Sequence, residues 1–248
     1  MIRTLPQSHI ESLNRIEGGY WWFMGRVYWA MRLLKEIEAE RETPFQHYAD
    51  LGCGVGGFAR EIRRDFGFSK IALVDGDPRL GDTLGAEEKP FFLYRDLQKK
   101  FSLPFTPDLV TCMDVLEHLQ DDAFFLREVN ANLADNGVFL ISVPNHPTFF
   151  SYWDKAVGHY RRYDKGGLLR KLSDAGFEVR SLTPMWSFLL PVLFARKMQS
   201  QAKDASEAVF PPVPKWLNRL LIGFSHAEFS MKALVPFGTS LVACCVKR

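Results

Sequence analysis

The chain has 248 residues, of which 47% are hydrophobic, enough for one domain with a substantial core. A formal charge of +2, from 31 basic and 29 acidic residues in short mixed runs, gives no concentrated basic field and excludes a nucleic-acid partner attracted by bulk electrostatics. Four cysteines without metal-site spacing or a disulfide framework point to a reducing, cytoplasmic compartment. The lack of a signal-type N-terminus or of an eighteen-residue apolar run argues against secretion and membrane spanning.

In chain order, residues 1–40 hold Tyr20-Trp21-Trp22-Phe23-Met24-Gly25-Arg26 and then an amphipathic helical stretch with Tyr28, Met31 and Leu34, which reads as a lid over a cleft. From residue 47 onward strand and helix signals alternate, the pattern of a doubly wound, mostly parallel α/β sheet. Strands are expected near 47–52, 70–75, 91–95, 107–113, 137–143, 177–182 and 240–247. Helices are expected at 115–133 and 165–175, each followed by a glycine. Residues 145–163 concentrate aromatics and histidines after the fifth strand, at the carboxyl end of a parallel sheet, where ligands bind. Residues 185–236 carry Phe188 to Phe194 and a helical stripe of Trp216, Leu217, Leu220, Leu221, Phe224 and Met231. Most of that stripe reads as core, and the remainder as a lipophilic acceptor pocket or a peripheral membrane contact with Arg196, Lys197 and Lys203 near headgroups. Pro191 argues against one uninterrupted helix there.

The most informative stretch is Asp50-Leu51-Gly52-Cys53-Gly54-Val55-Gly56-Gly57. Gly52, Gly54 and Gly57 fit the G-x-G-x-x-G turn that closes on a nucleotide. Asp50, two residues ahead of it, repels a pyrophosphate and attracts an ammonium or sulfonium group. Asp75 ends the next apolar strand, placed to accept ribose hydroxyls, and Asp96 closes the third. The fourth runs Asp108-Leu109-Val110-Thr111-Cys112-Met113-Asp114-Val115-Leu116-Glu117-His118-Leu119.

Together these stretches resemble the class I S-adenosylmethionine (SAM) methyltransferases, and 108–119 is similar to the ubiquinone and menaquinone biosynthesis group. The resemblance covers roughly residues 20–182 and the last strand. It implies a Rossmann-like fold of seven strands with the last antiparallel, a helical lid and a helical insertion before it. It also implies SAM as donor and S-adenosylhomocysteine as product. Cofactor contacts are expected from Arg26 (to the methionine carboxylate), Asp50, Gly52, Gly54, Gly57, Asp75, Asp96 (beside the adenine amino group), Met113 and Asp114. The acceptor is expected to be a small, apolar or aromatic molecule, methylated on oxygen with His159, His118 or His146 as base and His159 favoured. Carbon or nitrogen as target, a nicotinamide oxidoreductase on the same turn, and a noncatalytic scaffold binding through 185–236 stay open. Asp114-x-x-Glu117-His118 with His159 also resembles the ligand set of metal-dependent small-RNA 2′-O-methyltransferases, with Asp where that family has Glu; the favoured reading has no metal.

Overall fold

The computed structural model describes residues 7–17, 19–199 and 212–248, so Lys203 lies outside the described residues. Seven strands form one sheet: β1 (His47–Leu51), β2 (Lys70–Asp75), β3 (Phe92–Tyr94), β4 (Leu109–Met113), β5 (Val138–Pro144), β6 (Phe177–Met185) and β7 (Ser240–Lys247). Their order is β3-β2-β1-β4-β5-β7-β6. The first five are parallel, while β7 runs antiparallel to both β5 and β6. The order reverses direction between β1 and β4, which pair directly, and the crevice outside the carboxyl ends of strands at such a point is where ligands bind in open α/β sheets.

The central strands β1, β4 and β5 are buried on both faces, so their period-two alternation sorts side chains into two apolar layers. In β5, Val138 and Leu140 join the layer containing Trp29, Ile62 and Trp186, whereas Phe139, Ile141 and Val143 join the layer containing Phe125, Leu168 and Phe177. The four cysteines are buried and free, and burial raises the Cys53, Cys112, Cys244 and Cys245 thiols above their ordinary range, so they act as small apolar side chains.

Eight α-helices cover the sheet among the described residues: α1 (Gln7–Ile16), α2 (Trp21–Glu38), α3 (Gly57–Asp65), α4 (Asp122–Asn132), α5 (Tyr152–Val157), α6 (Lys165–Asp174), α7 (Leu190–Gln199) and α8 (Lys215–Ser230). In α2, Phe23, Val27, Ala30, Leu34 and Ile37 repeat at three to four residues and are all buried. Pro191 falls in the first turn of α7, where its missing N–H costs nothing.

The helix expected over 115–133 is divided. Asp114 takes a left-handed backbone (φ 54°), Leu116–His118 is a single 3₁₀ turn, and α4 begins after Asp121, whose carboxylate accepts the Phe124 N–H at 2.8 Å. A capping aspartate eight residues after the strand offers the backbone a better start than continuing through Glu117 and His118. The third strand is shorter than 91–95. No described helix is long and apolar enough to cross a membrane.

Phe139 is wholly buried with its ring 5.1 Å from that of Phe177. Phe139→Ala is expected to lower stability by about 3–5 kcal/mol, read from urea denaturation midpoints.

Candidate functional site

A cavity of about 430 Å³ opens at the carboxyl ends of β1, β2 and β4, under α1 and α2, with α5 and the residues after it on the far side. Its size falls in the range of small-molecule sites. The residues expected from the sequence gather here: Arg26, Asp50, Gly52, Gly54, Asp75, Asp96, Met113, Asp114, His118 and His159 all lie on its wall. From the N-terminal segment, Ile16, Glu17, Trp22 and Phe23 line one side of the cavity.

The glycine-rich turn works by backbone shape. Gly52 (φ 81°) and Gly54 (φ 56°) occupy left-handed positions that side chains resist. A Cβ on Gly52 would strike Val115 at 2.2 Å, whereas one on Gly54 would meet nothing within 4 Å, because Gly54 faces the open cavity. Asp75 secures this turn: its carboxylate accepts N–H groups from Gly54 and Asp77, each at 3.0 Å. Burial raises its pKa to about 6 against the pull of those bonds.

Asp50 reaches the wall from β1, with one carboxylate oxygen accepting the Thr111 hydroxyl at 2.6 Å. Burial, and secondarily the charge of Asp75, push its pKa up to about 7. Across the cavity, Glu17 of the lid is pushed to about 8, again mainly by burial. Three carboxyls held above their ordinary range around one space form a site whose ionisation is completed by a cation.

Gly57 departs from expectation. It is off the cavity wall, because its N–H, at the start of α3, is taken by Glu17 at 2.6 Å. Arg26 is buried, lies over the Trp22 ring at 3.6 Å and pairs with Asp114, whose other oxygen accepts the Ser142 hydroxyl at 2.7 Å; the Arg26 Nε is buried without a hydrogen-bond partner.

The three histidines separate. His146 is not on the cavity wall: it sits at a left-handed position (φ 62°) past the end of β5, its ring against Phe149. The chain turns away there to enter the Pro147–Phe149 turn. His118 and His159 meet edge to face at 4.7 Å. The Nδ1 of His159 lies 2.9 Å from Asp154, whose other oxygen accepts the Ser151 N–H. Burial pushes Asp154 upward, but His159 and Arg162 outweigh this and hold it below its usual value. Behind them Glu117 is fully buried, both oxygens lack a hydrogen-bond partner, and burial, then Asp114, raises its pKa. Glu117, His118 and His159 bring one donor atom each within 4.8 Å of one another, the span of a divalent-cation site.

Asp154, Glu17 and Thr111 went unread in the sequence. Asp154 did leave a signal, the Ser151-x-x-Asp154 spacing of a capping box at the start of α5. Of the second insertion, no described residue from 185 to 236 reaches the cavity. Trp186 packs edge-on to Trp21 instead, so the acceptor pocket expected from that segment is not formed there.

Comparison with known proteins agrees with this geometry. The family described as "Methyltransferase domain" matches residues 28–182. A 74-residue segment is 40% identical to a protein of Mycolicibacterium smegmatis described as a probable S-adenosylmethionine-dependent methyltransferase, and the match spans 29% of each chain. In fold, the chain is similar over its whole length, and over 97% of the other, to the methyltransferase complexed with the Haloferax volcanii Trm112 activator (TM-score 0.64, 19% identity). It is similar over 88% of its length, and 52% of the other, to Haemonchus contortus phosphoethanolamine N-methyltransferase 2 in complex with phosphomonomethylethanolamine and S-adenosylhomocysteine (TM-score 0.57, 17% identity).

With Asp50 raised from 3.8 to about 7, the ligand-free fold favours the protonated acid. The stability this contributes is complete below pH 4 and lost as pH rises through 7, a change on the order of 4 kcal/mol. Asp50→Asn is expected to flatten the fall in urea midpoint between pH 5 and pH 8; an unchanged slope would place the buried charge elsewhere.

Proposed function

Because the chain belongs to the class I S-adenosylmethionine-dependent methyltransferases, with SAM as donor and S-adenosylhomocysteine as product, we propose that it methylates a hydroxyl oxygen of a small, largely apolar acceptor in the cytoplasm, with His159 as general base. Family membership sets aside the nicotinamide oxidoreductase alternative. The observation that carries the proposal is His159 on the cavity wall with the buried Asp154 carboxylate 2.9 Å behind its Nδ1. A carboxylate held ionised at Nδ1 keeps the proton there and leaves Nε2 to accept one.

The residues present fit the donor. Gly54 gives an open approach to the backbone, Asp75 offers fixed acceptors suited to ribose hydroxyls, and Asp96 sits further along the same wall, suited to the adenine amino group. Asp50 and Glu17 supply negative charge to a ligand with ammonium and sulfonium groups. Arg26, with Nε unpartnered, suits the carboxylate end. Bound SAM supplies a methyl group already activated on sulfur. The chain then has to orient the acceptor, exclude water and remove its proton. Trp22 and Trp153 line the wall with His159 and Tyr160 and suit a flat or apolar acceptor. The similarity of 108–119 to the quinone-biosynthesis enzymes favours a phenol or quinone precursor.

Glu117 favours a second reading. Its two unpartnered, buried oxygens beside His118 and His159 would be satisfied by a divalent ion, which would serve as a Lewis acid lowering the pKa of the acceptor hydroxyl.

His159→Gln is expected to lower kcat by roughly 10²- to 10⁴-fold while SAM affinity by titration calorimetry stays within about twofold. Undiminished turnover would remove His159 from the reaction. Full activity after exhaustive chelation supports the metal-free reading; loss restored by added Mg²⁺ or Mn²⁺ supports the second.

A further inference from the structure

Helix α8 is apolar on two faces. Toward the protein, Phe229, Leu221 and Ile222 pack on the core, and polar side chains between them fasten the helix in place. Asn218 accepts the Trp21 N–H at 2.7 Å and donates to the Gly19 carbonyl, and the Ser225 hydroxyl accepts the Trp186 indole N–H at 3.1 Å. Glu228 accepts the backbone N–H groups of Trp186 and Ser187 at 2.7 and 2.6 Å. The side chains it turns outward are apolar: Trp216 is 68% exposed, Leu220 47%, Phe224 50% and Met231, one residue past the helix, 52%. At about 100° per residue, positions 216, 220, 224, 227 and 231 fall within an arc of about 80°, so Ala227 completes a continuous stripe some 24 Å long. Phe188 bridges the two helices, 5.9 Å from Phe224 and two residues before α7, which exposes Val192, Phe194 and Met198.

Charge chooses the occupant. Lys215 and Arg219 flank the stripe near its start and are exposed, and Lys197 lies on α7. Neither helix contains an exposed carboxylate: α7 has no acid, and the one acid of α8, Glu228, is buried in the bonds above. A second copy packed symmetrically on this stripe would bring cations with no carboxylate on either helix to meet them. An apolar stripe edged by lysine and arginine matches the boundary of an anionic bilayer, where the rings enter the acyl region and the cations stay among phosphates.

We propose that α8, assisted by α7, docks this protein on anionic lipid surfaces. The proposal goes beyond methyl transfer and does not depend on it, since none of these side chains lines the cavity. It has a structural consequence for the site: Asn218 and Ser225 fasten α8 to Gly19, Trp21 and Trp29, so a docked α8 sets the lid helix α2 against the lipid surface.

The test is sedimentation of the full chain with vesicles of phosphatidylcholine alone or with one third phosphatidylglycerol, beside size-exclusion chromatography. Binding is expected to the anionic vesicles, weakening as salt rises. Leu220→Ser/Phe224→Ser is expected to reduce it at least tenfold with an unchanged melting temperature and SAM affinity. Lys215→Glu/Arg219→Glu is expected to abolish the preference for phosphatidylglycerol. No vesicle binding, binding that the serine variant retains, or a dimer that the same variant disperses while vesicles are ignored would each overturn the proposal.

Discussion

The ion pair between Arg26 and Asp114 joins the two halves of the site, and the rest of the arrangement is built around it. Asp114 stands where β4 ends, in a left-handed conformation fixed by the Ser142 hydroxyl of the neighbouring strand. Arg26 comes from the lid helix, and its guanidinium lies over Trp22, whose ring is 6.0 Å from that of Trp186. A buried guanidinium is costly unless paired, and a carboxylate beside Glu117 is costly unless neutralised, so each group makes the other tolerable. The carboxyl end of the sheet and the N-terminal helix α2 are thereby fastened into one wall, and Trp186 ties α8 to its back.

Behind that wall the site works by controlled excess of negative charge. Asp50, Asp75 and Glu17 are each raised by burial, which means that the protein holds its carboxyls partly desolvated where a cationic ligand will complete them. Around His159 the logic changes. Asp154, bound by His159 and Arg162, stays ionised and orients an imidazole, while Glu117 nearby is raised. Two buried carboxyls on either side of His159 are thus pushed in opposite directions, Asp154 down by its hydrogen bonds to His159 and Arg162 and Glu117 up by burial.

The part of the cavity wall that rests on strand ends was legible. Asp50, Asp75, Asp96 and Asp114 each follow an apolar run, and parallel strands deliver their last residues to one edge by necessity. The part that holds histidines was only partly legible. His118, His146 and His159 are equivalent as residue types, and only the path of the chain after Pro144, which turns His146 away and carries His159 back to the cavity, distinguishes them. On helix α8 the sequence places most of the apolar stripe in the core, whereas Leu221 packs there and Trp216, Leu220, Phe224 and Met231 turn outward. The period of Trp216, Leu220 and Phe224 was correct, but periodicity reports that a helix has two faces and not which one meets the protein.

What the sequence determined by itself is therefore the sheet, its seven strands, the glycine-rich turn and the row of acids at the strand ends, since these follow from local pattern and from the two-residue repeat of extended chain. Only the tertiary structure decided the pairing of Arg26 with Asp114, the docking of Glu17 on Gly57, the Asp154–His159 contact and the outward turn of α8. Residues 88, 40 and 5 positions apart in the first three of these meet through packing, and a buried polar group takes whichever partner the fold brings within reach.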